Sequence, residues 1–201
     1  MQPLPGHAID RSWLALRPAL LDGWIASWLG ERGSLTRRLR ARCGRLELIR
    51  LRQGYGCPLP DEVALLSLRR GRRAWVREVL LLADGQPVLY AHSVMPASCL
   101  RSAWRLLSRL GSKPVGDAIF ERPGTRRGAI RVRRLSSGDR LHRAVRQALA
   151  ASGRGATQVP AVWARRSPFV HAGQALWITE VFLPALAGLG ASPRRADRPG
   201  R

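Results

Sequence analysis

The sequence predicts an α+β fold with one antiparallel β-sheet of five or six strands and helices inserted between them. Three observations lead there. Two apolar runs, 74–82 and 88–95, flank Ala83-Asp-Gly-Gln86, and Asp-Gly between apolar runs signals a hairpin. Two more runs, 161–170 and 175–183, flank His171-Ala-Gly-Gln174. The helix-period segments do not alternate with the strands as βαβ units, which disfavours a doubly wound parallel sheet.

Residues 1–11 read as a loose arm. From Pro18 to Leu29 the spacing of Leu20, Trp24 and Trp28, broadened by Leu21 and Ile25, predicts a helix. Ser34 is placed to cap a short helix over 35–42, stopped by Gly44. Residues 45–52 read as a strand, Gly54-Tyr-Gly56 as a turn, and 58–73 as a loop with one helical turn. After the first hairpin, Pro96 ends the return strand. Ser98 is then placed to cap a helix to Leu110, with Leu100, Trp104, Leu107 and Leu110 on one face and Gly111 as its stop. Pro114 opens a short helix through Phe120, Ile130 and Val132 suggest a strand, and Asp139 begins a helix through Ala151 with Leu141, Val145 and Leu149 four apart. A polar loop over 153–159 leads to the second hairpin. One domain over 1–190 is expected, followed by a Pro/Arg-rich tail over 191–201 that should lack structure.

The 201 residues suffice for one well-cored domain, and 45% apolar residues with seven Trp supply it. The formal charge of +22 points at first to nucleic acid or an anionic membrane. Only one of the 35 basic residues is lysine, and the arginines are spread over many segments, as a GC-rich coding bias would leave them. No interleaved aromatic and basic motif appears, so the charge reads as a solvated surface with no nucleic-acid partner. Cys43, Cys57 and Cys99 are odd in number and widely spaced, which argues against a disulfide framework or a zinc site. No signal-peptide pattern opens the chain and no apolar run reaches membrane-spanning length, so a cytoplasmic protein is expected.

Two residues stand out. Strand side chains alternate faces, so Glu180 shares the apolar face of Leu176, Ile178 and Phe182, and Arg77 that of Trp75, Val79 and Leu81. A lone buried carboxylate costs several kcal/mol unless paired or protonated. One reading is a structural ion pair or a strand at a solvated edge. The other is a closed pocket for a small polar ligand, with Arg77 forking onto a carboxylate and Glu180 accepting from a hydroxyl or taking a proton. Glu78 faces the other way, with Val76 and Leu80, where an arginine partner would serve. His92 reads as a satisfied structural histidine able to line the pocket, Arg165-Arg166 as a solvated pair at a strand edge, and Cys99 as a core thiol. The helix starts at Ser34-Leu35-Thr36 and Pro114-Val115-Gly116 offer backbone N–H groups to an anion, although ordinary capping is commoner.

The blocks Trp75-Val-Arg-Glu-Val-Leu-Leu-Leu-Ala-Asp-Gly-Gln-Pro87 with His92-Ser-Val-Met-Pro96, Leu110-Gly-Ser-Lys-Pro-Val-Gly116, Ala164-Arg-Arg-Ser167 and Ile178-Thr-Glu-Val-Phe-Leu-Pro184 resemble the chorismate lyase family, and Ser34-Leu-Thr-Arg-Arg-Leu39 fits its N-terminal helix. The similarity runs with gaps over residues 13–185. The resemblance implies cleavage of chorismate to 4-hydroxybenzoate and pyruvate, the first committed step of ubiquinone synthesis, with no cofactor or metal. It implies a monomer whose sheet is covered by helices and helical loops that close over a buried ligand site. It implies that Arg77 binds the ring carboxylate with the backbone N–H groups of Leu35 and Val115, and that Glu180 contacts the oxygen at the opposite end of the ring. The family often has Met and Leu at positions 35 and 115, which matters little where the backbone makes the contact. The segment 121–162 is longer here than in the shorter members. A non-catalytic effector-binding module is one alternative, since the ligand domain of a class of bacterial transcription regulators has a similar fold, and a basic nucleic-acid-binding protein, motivated by the charge of +22, is a less favoured one. Residues 1–45 are too short for the winged helix those regulators carry.

Overall fold

The computed structural model describes residue 10 and residues 12–153 and 159–189. The expected arm apart from its end, the middle of the polar loop and the Pro/Arg-rich tail lie outside the described residues.

The strands are β1 (Leu14–Ala15), β2 (Leu46–Gly56), β3 (Ala74–Ala83), β4 (Gln86–Pro96), β5 (Arg126–Arg127), β6 (Arg131–Leu135), β7 (Val162–His171) and β8 (Gln174–Phe182). They form one antiparallel sheet in the order β1-β6-β7-β8-β4-β3-β2, with β5 added to β7. The described residues thus hold eight strands rather than five or six. The additional β1 and β5 are two residues long, too short to carry a period-two signal.

Both hairpins form where expected. Asp84 (φ 48°) and Gly85 (φ 80°) make the first turn, and Ala172 (φ 46°) and Gly173 (φ 74°) the second. Two positive φ values in a two-residue turn define type I′, whose twist matches that of the strands it joins.

The helices are α1 (Gly23–Leu29), α2 (Leu35–Arg40), α3 (Pro60–Leu65), α4 (Val115–Phe120) and α5 (Arg140–Ala151). On one face of the sheet α5 buries Leu141, Val145 and Leu149 against Leu80, Leu82, Tyr90 and Val181. On the other, α1 and α2 bury Ile25, Trp28, Leu29, Leu35 and Leu39 against Leu81, Leu89 and Phe182. Beside them Trp104, Leu107, Val115 and Ile119 pack on Trp75, Met95 and Ile178. The sheet is covered on both faces, so even its polar residues are largely enclosed.

Three local expectations change. The helix over 18–29 breaks: Pro18–Leu20 is a 3-10 turn, Leu21 is extended (ψ 150°), and α1 restarts after Asp22. The break lets α1 present Ile25, Trp28 and Leu29 while Leu20 stays exposed. Residues 98–110 form two 3-10 segments, Ala97–Arg101 and Arg105–Arg109, instead of an α-helix capped by Ser98. Among the buried residues there, Trp104, Leu107 and Leu110 are three apart, the spacing that aligns side chains on a 3-10 helix. Gly54–Gly56 continues β2 opposite Val76, Trp75 and Ala74 rather than turning.

Candidate active site

The face of the sheet under α2 and α4 is the floor of a cavity with an empty volume of about 550 Å³, solvent at its mouth included. Arg77 and Val79 from β3, Ala91 and Ser93 from β4, and Ile178 and Glu180 from β8 line it, the alternate residues that strand periodicity puts on one side. Leu35 and Thr36 at the start of α2, and Val115 and Gly116 at the start of α4, close it from above. The Ser34 hydroxyl caps α2 by accepting from Arg37 N (3.2 Å). The N–H groups of Leu35 and Val115 lie in the first turns, where no intrahelical partner exists. All four residues singled out from the sequence, Leu35, Arg77, Val115 and Glu180, therefore surround one cavity.

Arg77 is anchored from behind. Its Nη1 donates to Gly111 O (2.9 Å) and to the Gln53 side chain opposite it on β2, and its Nη2 donates to Lys113 O (2.8 Å). These acceptors are uncharged, so its positive charge has no carboxylate partner among the described residues. Its buried Nε has no hydrogen-bond partner at all among the described residues. An orphaned donor on an unpaired buried cation costs free energy that an anionic ligand would recover. Burial, with Arg50 adding repulsion, pulls the guanidinium down to about 10, which leaves it charged at neutral pH.

Glu180 is held by other arginines. Arg165 Nε donates to its Oε2 at 2.6 Å, and Arg127 Nη2 reaches the same oxygen at 3.5 Å. Arg77 pairs with Ser93, Ser93 pairs with Ile178, and Glu180 lies two residues further along β8. Two strand spacings across and one two-residue step along put the two backbones about 12 Å apart. The direct ion pair that the sequence left open is not formed. Among the described residues no group of three or more His, Cys, Asp or Glu side chains is placed to share a metal ion. No helix among them is long and apolar enough to cross a membrane.

The family model for chorismate lyase matches residues 16–187. The chain belongs to the chorismate lyase family. Among its curated relatives is a probable chorismate pyruvate-lyase of Azoarcus sp. BH72, 44% identical over 187 residues, which covers 92% of this chain and 97% of that protein. One from Aromatoleum aromaticum is 47% identical, covering 90% and 96% respectively, and one from Bordetella pertussis is 35% identical, covering 95% and 96%. The fold also appears in solved structures of low identity. The PhnF C-terminal domain matches with a TM-score of 0.51 at 14% identity, over 76% of this chain and 89% of that one. A GntR-family transcriptional regulator from Bacillus cereus matches with a TM-score of 0.50 at 12% identity, over 69% and 92%.

Within this member of the family, the arginines of β7 are placed differently from the sequence expectation. Arg165 and Arg166 are 1% and 3% exposed, because β7 is an inner strand covered on both sides rather than an edge. Arg165 points to the cavity side and Arg166 to the opposite face. There Arg166 binds Asp61 (2.6 Å), Thr179 (2.7 Å) and Glu62 (3.4 Å), and its guanidinium lies 4.2 Å from the Trp13 ring centroid. His92 is on that opposite face too, so it does not line the cavity. Its Nε2 is 3.1 Å from Glu62 Oε2 and its Nδ1 3.2 Å from Glu78 Oε1. Glu78 therefore pairs with a histidine and not with an arginine. Burial disfavours the imidazolium, but the two carboxylates more than offset it and raise His92 to about 9. Cys99 is a buried core thiol, as expected.

The residues that sequence reasoning missed are Arg127 and Arg165. Arg165 had a usable signal. In the second hairpin His171 pairs with Gln174, and counting back in register brings Arg165 opposite Glu180. Arg127 had none, since two-residue β5 reaches the cavity only through tertiary packing on β7.

Proposed function

We propose that this chain is a chorismate pyruvate-lyase, a cytoplasmic monomer that supplies 4-hydroxybenzoate to ubiquinone synthesis. The observation that carries the reading is the separation of Arg77 and Glu180 across one enclosed cavity, one an unpaired cation and the other an acceptor. Chorismate has a ring carboxylate at one end and a hydroxyl at the other. The ring carboxylate meets Arg77 and the backbone N–H groups of Leu35 and Val115, while Glu180 accepts from the ring hydroxyl. The proton on the hydroxyl-bearing carbon leaves to solvent, its bonding pair forms the new ring double bond as the adjacent ether C–O bond breaks, and the departing oxygen takes up a proton, which releases enolpyruvate and leaves an aromatic ring. The enolpyruvate then ketonises to pyruvate. Because aromatisation drives the reaction, the residues mainly hold a reactive conformer and stabilise charge on the departing oxygen.

The test is incubation of the purified protein with chorismate, without added metal or nucleotide. 4-Hydroxybenzoate and pyruvate in equal amounts are expected. A folded sample that yields neither sinks the reading, and 3-hydroxybenzoate would redirect it to another cleavage of chorismate. The effector-module alternative draws on a fold likeness alone and predicts tight ligand binding without turnover.

A further inference from the structure

We infer that Arg127, backed by Arg165, forms a second carboxylate site at the Glu180 end of the cavity, which receives the enolpyruvyl carboxylate of the substrate. The inference rests on the lyase reading and adds the group that tells substrate from product.

Charge balance is the first argument. The charged side chains that line the cavity are Arg77, Arg127, Arg165 and Glu180. With all four ionised, the cavity carries a surplus of two positive charges. Buried surplus charge is costly, and a ligand of matching opposite charge removes the cost. A dicarboxylate matches and a monocarboxylate does not. Arg77 serves one carboxylate, and the register keeps it too far from Glu180 to serve both.

The second argument separates the two arginines beside Glu180. Arg165 is held tightly: its Nε bonds Glu180 at 2.6 Å and its Nη1 gives to the carbonyls of Trp28 (3.2 Å), Leu29 (3.2 Å) and Glu31 (2.5 Å). Its side chain is only 1% exposed. These bonds tie β7 to the end of α1 and fix the Glu180 carboxylate. Arg127 is held more loosely towards the cavity. Its Nε binds Ser167 Oγ (2.9 Å) and its Nη1 the carbonyls of Glu31 (3.0 Å) and Arg32 (3.3 Å). Its Nη2 reaches Glu180 only at 3.5 Å, the limit of a hydrogen bond. That nitrogen has donor capacity to give to a second carboxylate.

The third argument is the field at Arg127. Burial, and then the neighbouring Arg165, push its guanidinium down to about 10 against the opposing pull of Glu180 and Glu31. A further anion would relieve this repulsion. Arg127 also lies 5.0 Å from the Phe169 ring centroid, so an aromatic wall fixes its plane. As the ether bond breaks, the leaving group gains negative charge beside its carboxylate, and a guanidinium there stabilises that charge.

The product 4-hydroxybenzoate keeps the ring carboxylate and loses the enolpyruvyl one, so the experiment compares two ligands. Chorismate kinetics and 4-hydroxybenzoate affinity, the latter by isothermal titration, are measured for the wild type and for Arg127→Gln, Arg127→Lys and Arg77→Ala. Arg127→Gln should raise the chorismate KM at least tenfold while 4-hydroxybenzoate affinity changes less than about twofold, 1.4 kcal/mol corresponding to each tenfold. Arg127→Lys should recover part of the loss, and Arg77→Ala should weaken both ligands. Equal weakening of both ligands by Arg127→Gln, or no change in chorismate KM, overturns the second site. If the glutamine variant does not fold, the lysine variant decides, because it keeps the charge and loses only the planar fork; an unaltered ratio of chorismate KM to product affinity then counts against the site. A wild type without turnover overturns the inference together with the reading beneath it, whereas active wild type with an unselective Arg127 variant overturns the inference alone.

Discussion

His92 should make the protein lose stability as pH rises from 6.5 to 9, by an amount the buried network sets. The imidazole lies between Glu62 of α3 and Glu78 of β3, with Arg166 on Glu62, Thr179 opposite on β8, and Tyr90 and Arg52 near the carboxylates. Its pKa is raised from 6.5 to about 9. A raised pKa gives stability that is fully present below 6.5 and lost as pH climbs through about 9. At about 1.4 kcal/mol per unit, the 2.5-unit shift is on the order of 3 kcal/mol. For a chain of this size that is roughly 6–12 °C in Tm. Glu62 and Glu78 are shifted down from 4.5, so their contributions stand above 4.5 and fall away below it. Between 4.5 and 6.5 the network is therefore at full strength. The assay is a set of thermal melts from pH 6 to 9.5 on wild type and His92→Gln. The wild-type Tm should fall with pH while the variant, less stable at pH 6, should stay nearly flat. Cys43 and Cys99, whose surroundings include neither carboxylate, contribute equally to both proteins and cancel in the comparison. Parallel curves for the two proteins, or an imidazole that titrates near 6.5 by NMR, would refute the reasoning.

Other outcomes follow from the cavity and its cover. Glu180→Gln and Arg77→Ala should each lower turnover of chorismate at least tenfold, about 1.4 kcal/mol of transition-state stabilisation, in steady-state assays at saturating substrate; wild-type turnover in folded Glu180→Gln removes that carboxylate from the mechanism. Arg40 and Asp117 form a 2.9 Å ion pair that joins α2 to α4 on the outer side of the cover. Asp117→Asn should speed product release in stopped-flow displacement and leave Tm nearly unchanged, as exposed pairs add little stability. With a formal charge of +22, the rate constant for binding a dianion should fall as salt increases from 20 to 300 mM, whereas a salt-insensitive rate would show that the field does not steer the ligand.

The hairpins were legible because each rests on a local device, a two-residue turn with left-handed backbone between apolar runs. Arg77 and Glu180 were legible because a charge on an apolar strand face violates the alternation around it. The segment 98–110 misled because apolar residues three and four apart suit an α-helix as well as a 3-10 one, and packing on Trp75 and Met95 decides between them. Arg165 and Arg166 misled for a different reason. In a strand buried on both sides each neighbour faces an interior, and nothing local separates that from a solvated edge. Glu78 was assigned the correct face and His92 a structural role, but Glu62, 0% exposed and central to their network, comes from a helical turn whose reach could not be read without the fold.

The pleat of β4 divides two polar systems with no spare residue between them. Leu89, Ala91 and Ser93 look into the cavity, while Tyr90, His92 and Val94 look toward α3 and α5. One inserted residue before Ala91 would invert this strand beyond the insertion. It would set His92 beside Arg77 and Ile178 and leave Ala91 facing Glu62, removing the imidazole from between the two carboxylates and crowding the ligand space at once. Length at the centre of this sheet is therefore as restrictive as chemistry. Scanning insertions through β4 and through the longer segment 121–162 should give opposite profiles, with abrupt loss of fold and binding in the first and broad tolerance in the loops of the second.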